Sequence, residues 1–220
     1  MNSKLERILK LVQENPVEFT RFSSDTQQIN PESRVVSISN ILERVSLPEH
    51  STILDIGTGY GYGAVLLNAL GYNVIGLEIN KDKLQEGMRY WRRLGIDFEE
   101  TDDLSLVTNS SGRLYFSARD SRDLKDIPNQ SVDMATAFYI SGYMVGKNDA
   151  FREVGRVLNE EGNFTMTTEG PRQLPASLRG LAVNLVSRFL GLNDLRLTSK
   201  FTIDDPQVYD KFVLVYDKIA

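Results

Sequence analysis

The stretch 54–63, LDIGTGYGYG, places the acid Asp55 two residues ahead of four glycines at alternate positions, Gly57, Gly59, Gly61 and Gly63. One glycine would serve a tight strand-to-helix turn. Four leave bare backbone that a ligand can approach closely, and a helix starting there adds unpaired N–H groups. The loop is not a P-loop, because no Gly-Lys-Ser/Thr follows. Gly59, Gly61 and Ala64 do spell G-x-G-x-x-A, the dinucleotide fingerprint, in one overlapping register. Glu78 closes the next apolar run, where a carboxylate can take both hydroxyls of a ribose. That combination says adenosine without choosing among cofactors. Asp55 bears on the choice. A carboxylate so near the loop repels a pyrophosphate and tolerates a cation, and S-adenosylmethionine carries both a sulfonium and an ammonium.

The elements that must position these residues alternate along the chain. Thr52–Ile56 is a short apolar run, a buried-strand pattern, and 61–70 is apolar and helix-like. Asn73–Leu77 reads as a second strand and 81–94 as a helix. Residues 95–112 are polar, with TDD and NSSG turn signals. Strands follow at 114–118, 131–139 and 162–168, with helices at 150–158 and 175–190. Two further strands, 195–203 and 212–219, lie close enough in sequence to pair antiparallel. Ahead of all this, 1–14 reads as a helix with a Ser3/Glu6 capping box, 15–29 as loop, and 30–45 as a helix opened by Asn30-Pro31. Strand and helix alternating from 52 to 190 predict a doubly wound α/β fold with a mostly parallel sheet.

With those motifs in order, the chain resembles the class I S-adenosylmethionine-dependent methyltransferases. LDIGTGYGYG looks like their first motif, an acid followed by G-x-G-x-G, with Asp55, Gly57, Gly59 and Gly61 in place. VIGLEIN resembles the second-strand motif and LYFSARDSRDL the one after the third strand. NQSVDMATAFY resembles the fourth-strand motif, and FREVGRVLNEEGNFTM the helix and fifth strand. The resemblance implies a Rossmann-like, seven-stranded sheet over 51–220 with its last strand antiparallel, and a helical cap or lid over 1–50. It implies S-adenosyl-L-methionine as cofactor, held by Asp55, Gly57, Thr58, Gly59, Gly61, Glu78, Ile79, Asp120, Ser121 and Tyr139. Glu78 would take the ribose, Asp120 the adenine amino group, and Ser121 would lie beside the ring. Two departures from the family pattern are visible: the 95–114 stretch is long, and Glu160-Glu161-Gly162 stands where Pro-Gly-Gly is usual.

Methyl transfer from a sulfonium needs orientation and exclusion of water more than a strong base. Acceptor-side residues belong at the carboxyl ends of the parallel strands, where Tyr139 and Tyr143 are candidates; both read equally well as packing aromatics. Glu169 reads as a solvent-facing acid. Asn/Asp-Pro-Pro-Tyr, expected for methylation of a base or glutamine nitrogen, is absent. His50, the one histidine, sits in a turn before the first strand, away from the ligand end. Phe19, Phe22 and 26–30 are the lid candidates.

The wider composition narrows the class. A chain of 220 residues suits one domain with a sizeable core, and a formal charge of -5 argues against a nucleic-acid-coating surface. The absence of cysteine removes disulfides, thiol nucleophiles and Cys-ligated zinc, and one histidine removes multi-imidazole metal sites. No apolar run is long enough to span a membrane, so the expectation is a soluble, cytoplasmic protein without a metal. The leading reading is methyl transfer to a small molecule. Protein carboxyl (isoaspartyl-like) methylation, a non-catalytic S-adenosylmethionine-binding protein and an NAD-dependent oxidoreductase are the alternatives. Asp55 and the Asp120 motif weigh against the last.

Overall fold

The structure, a computed structural model, describes residues 47–105, 112–138, 148–169, 195–205 and 208–218, with helical positions at 6, 10, 13, 14, 38, 41, 42 and 45. The expectations for Phe19, Phe22, 26–30, Tyr139, Tyr143 and the 175–190 helix lie outside the described residues.

The sheet is built from β1 (Thr52–Ile56), β2 (Asn73–Leu77), β3 (Glu99–Glu100), β4 (Leu114–Ser117), β5 (Val132–Ala137), β6 (Leu158–Glu169), β7 (Leu195–Asp205) and β8 (Val208–Lys218). Their order is β3-β4-β2-β1-β5-β6-β8-β7. The strands from β3 to β6 are mutually parallel, and β8 runs antiparallel to both β6 and β7. The expected seven strands with an antiparallel last strand are therefore present. An eighth, β3, was not expected: two exposed acids at the edge of β4. It carries no apolar alternation to announce it, and surface pairs such as Arg113–Glu99 (2.7 Å) accompany it.

Among the described residues, three complete helices flank the sheet: α1 (Tyr62–Ala69), α2 (Lys81–Arg93) and α3 (Asn148–Val157). β1 and β2 are buried along their whole length. Their residues alternate between two cores, as the two-residue period of a strand requires. Leu54, Ile56, Ile75 and Leu77 face the α3 side, where Phe151 meets Phe164 edge-on at 5.8 Å. Ile53 and Val74 face the α1/α2 side. α1 is apolar almost all round because it is buried almost all round, with Ala64, Val65, Leu66 and Leu67 at most 1% exposed. Each fully buried leucine contributes about 1.5–3 kcal/mol of transfer free energy. Ile38, Ile41 and Leu42 join the same core from the N-terminal region.

α2 has clear ends. Asn80 caps it through Oδ1, which accepts from Lys83 N at 3.0 Å, and Asp82 stands in its first turn. Arg92 and Arg93 complement the other pole of the helix dipole. Gly95, at φ 69°, then turns the chain away.

β6 starts earlier than expected. Its pairing with β5 jumps from Val132↔Leu158 to Met134↔Asn163, so 159–162 is looped out within the strand. Asn159 Nδ2 donates to Asp133 Oδ1 and Asn159 Oδ1 accepts from Glu161 N, which holds that turn in place.

Candidate functional site

Because β4, β2, β1 and β5 are adjacent and parallel, whatever follows each strand comes to one edge of the sheet. Those followers are the glycine loop after β1, Glu78–Asn80 after β2, Asp120-Ser121 after β4 and Phe138 after β5. Gly57, Gly59 and Gly61 all have positive φ, at 67°, 63° and 83°, which side-chain-bearing residues rarely adopt.

The loop is laced to its neighbours. Thr58 N donates to Leu77 O (2.9 Å), and Glu78 N donates to Ser117 O (3.2 Å). Gly59 N donates to Glu78 Oε2 and Asn80 N to Glu78 Oε1, both at 2.9 Å. One buried carboxylate thus joins the glycine loop to the β2–α2 turn, and each oxygen still has a lone pair for a ligand hydroxyl. Ile79, beside it, is 64% exposed, a large apolar side chain presented to solvent at the strand end. Thr58 is half-buried, and its Oγ1 has no hydrogen-bond partner among the described residues.

Beneath the loop lies a socket that the sequence reading missed. Trp91 Nε1 donates to Tyr60 O at 2.7 Å. A Cβ at Gly87 would stand 2.2 Å from that same carbonyl oxygen. Phe116 fills the space under Gly61 and Gly76; a Cβ at either would lie within 2.8 Å of its ring. The available signal was a glycine inside an otherwise charged helix, where only a close approach justifies it. Lys83 arches over the loop, its Nζ 5.1 Å from the centre of the Tyr60 ring.

Asp55 is placed differently from the other predicted site residues. It is 1% exposed and lies under the first turn of α1. Its Oδ1 accepts from Thr136 Oγ1 at 2.8 Å, and its Oδ2 would be 3.2 Å from a Cβ at Gly63. Gly63 is therefore small to let the helix settle on this carboxylate. Asp55 offers no open face; it lies below the loop, beside the N-terminus of α1.

At the other end of the edge, Asp120 is held by Arg122: Nε and Nη2 donate to Oδ2 (2.9 and 2.5 Å) and the backbone N to Oδ1 (2.9 Å). That hydrogen bond, then the charge of Asp120, raises the Arg122 guanidinium above its usual pKa. Ser121 is half-buried beside it. Arg156 fastens α3 below, donating to Leu124 O, Ile127 O and Glu153. The Arg156 hydrogen bond holds the Glu153 carboxyl below the usual carboxylate range. His50 is exposed in its turn at φ 63°, before β1.

A family model described as a methyltransferase domain matches residues 47–188, more than half of the chain. The chain belongs to the class I S-adenosylmethionine-dependent methyltransferase family. No curated protein matches it in sequence. Solved structures resemble this methyltransferase in fold. A Pyrococcus horikoshii OT3 protein is 17% identical with a TM-score of 0.64, covering 92% of this chain and 99% of that one. A SAM-dependent methyltransferase from Methanosarcina mazei is 17% identical at TM-score 0.60, covering 81% and 97%. The geranyl diphosphate C-methyltransferase of Streptomyces coelicolor A3(2), crystallised with S-adenosyl-L-homocysteine, is 15% identical at TM-score 0.58, covering 84% and 76%. The residues of this methyltransferase fit an adenosine cofactor: three left-handed glycines, a buried acid with spare acceptor capacity, and an exposed isoleucine along one sheet edge. Among the described residues, no helix is long and apolar enough to cross a membrane, and no group of His, Cys, Asp and Glu could hold a metal ion.

Proposed function

We propose that the protein transfers a methyl group from S-adenosylmethionine to a small-molecule acceptor, with the cofactor lying along the edge from Asp120 to the glycine loop. The observation that carries the placement is Glu78, which binds Gly59 N–H and stands beside the exposed Ile79 at the end of β2. In this reading Glu78 takes the ribose hydroxyls and Ile79 packs on the adenine. Asp120 and Ser121 receive the adenine edge, and Gly57, Thr58, Gly59 and Gly61 lie under the methionine end. Asp55 supplies negative charge from beneath. The bound cofactor brings an electrophilic methyl group on a cationic sulfur. The protein's own share is orientation and exclusion of water. Tyr139 and Tyr143, which follow β5 in the chain, are the acceptor-side residues in this proposal.

A small acceptor is supported by the formal charge of -5, which disfavours a nucleic-acid surface, and by the absence of Asn/Asp-Pro-Pro-Tyr after β5. A neighbour of similar fold is named for a small acceptor, geranyl diphosphate. The first test is thermal stabilisation by S-adenosylmethionine, S-adenosylhomocysteine and NADH in parallel. A ligand at a hundred times its Kd adds about 2.7 kcal/mol. The two S-adenosyl compounds should stabilise and NADH should not; stabilisation by NADH alone refutes the cofactor assignment. Metabolite extracts incubated with labelled methyl donor then report the acceptor. Label appearing only in protein refutes the small-molecule reading.

A further inference from the structure

Asp55, Thr136 and Thr165 stand at the same height on three adjacent strands, by the register pairs Asp55↔Thr136 and Thr136↔Thr165. All three are at most 1% exposed. Alternation along the strands puts them on the α1 face, with Ile53 and Met134. A row of polar side chains in an apolar layer is expensive unless each group is used. The Thr136 hydroxyl donates to Asp55 Oδ1 at 2.8 Å. Thr165 continues the row, and its Oγ1 has no hydrogen-bond partner among the described residues.

We infer that Thr136 is a positioning residue for cofactor charge: its hydroxyl fixes the Asp55 carboxylate under the glycine loop, so that the loop favours a ligand with a cationic amino-acid end. This rests on the cofactor placement proposed above. Two constraints converge on the carboxylate. Thr136 holds Oδ1 from the β5 side, and the first turn of α1, at Gly63, closes on Oδ2. Without the Thr136 donor, Asp55 loses the hydrogen bond that fixes its Oδ1 from the β5 side. Thr136 acts only through Asp55, so its removal should affect the charged end of the ligand and leave the nucleoside end alone.

The experiment compares binding of S-adenosylhomocysteine, which carries an ammonium, with 5′-methylthioadenosine, which has the same nucleoside and no amino-acid end. Calorimetric titration is run on the wild type, Thr136→Val, Thr136→Ser, Thr165→Val and Asp55→Asn. A hydrogen bond to a charged group contributes about tenfold or more in an equilibrium constant. Thr136→Val should therefore weaken S-adenosylhomocysteine about tenfold and leave 5′-methylthioadenosine within about twofold. Thr136→Ser should restore the wild-type ratio, and Thr165→Val should not change it. Asp55→Asn tests the placement separately, since it should lower the same ratio. In that background Thr136→Val should add nothing further. If Asp55→Asn lowers the ratio and Thr136→Val does not, the positioning role is refuted and the placement stands. If Asp55→Asn leaves the ratio unchanged, both are refuted. If Thr136→Val weakens both ligands alike, Thr136 is structural only. Should that variant not fold, Thr136→Cys, a weaker donor of similar size, carries the same comparison.

Discussion

Alanine in place of glycine inside a helix usually stabilises a protein, by about 0.5–1 kcal/mol. Gly87→Ala in α2 should do the reverse. The new Cβ would stand 2.2 Å from Tyr60 O and 2.7 Å from Tyr60 C and Cα. These are backbone atoms and cannot swing aside, so α2 and the glycine loop must part by roughly 1 Å, an overpacking cost of about 1–3 kcal/mol. The same separation stretches the Trp91–Tyr60 bond from 2.7 Å. A buried donor left without its acceptor costs about 1–3 kcal/mol more. Against a propensity gain of about 1 kcal/mol, the net effect is about 1–5 kcal/mol of destabilisation. For a chain of this size that lowers Tm by at least about 2 °C. Urea unfolding followed by circular dichroism measures it, with Arg89→Ala, on the exposed face of the same helix, as the control. That control should stay within about 0.5 kcal/mol of wild type. Because the displaced element is the glycine loop, Gly87→Ala should also weaken S-adenosylmethionine binding while Arg89→Ala does not. A Gly87→Ala protein as stable as wild type, or more so, refutes the socket.

Other substitutions test the edge itself. Glu78→Ala leaves the Gly59 and Asn80 N–H groups without their acceptor and should weaken S-adenosylmethionine at least tenfold, read by calorimetry on protein of unchanged circular dichroism. Gly59→Val forces a β-branched residue to φ 63° beside Lys83 Cε, 3.4 Å from the new Cβ, and should abolish binding. Glu153→Gln tests the α3 clamp through pH. The folded Glu153 carboxyl lies below an ordinary glutamate's value, so its contribution is present above that ordinary value and is lost as pH falls through the lower, folded one. Wild-type stability should exceed that of Glu153→Gln near neutrality, with the gap closing under acid. A gap that stays constant with pH refutes the charge-based account.

Much of the architecture was legible because the informative elements are short, apolar and bounded. β1 and β2 have the predicted limits, since each is a run of five buried residues ended by a glycine turn or an acid. The glycine loop, Glu78 and Asp120 were legible for a related reason: their positions relative to strand ends follow from a parallel sheet. The rest depends on long-range packing. Nothing local in Glu99-Glu100 signals a strand; the edge of β4 makes it one. The turn expected at Glu160-Glu161-Gly162 lies instead within β6, because the pairing of β5 with β6 carries strand geometry past it. Charge at Asp55 was visible, but its burial under α1 was not, because that follows from Gly63 and from Thr136 on a strand far along the chain. The Gly87–Trp91–Tyr60 socket likewise joins residues whose contact no local pattern announces.

Trp91 is the one tryptophan of the chain. Its indole is 1% exposed and hydrogen-bonded to the backbone of the loop that the cofactor is proposed to touch. Intrinsic emission on excitation near the red edge of indole absorption therefore comes from a single place. The protein carries its own optical probe of that loop, so occupancy can be followed in solution without label, dye or a known methyl acceptor.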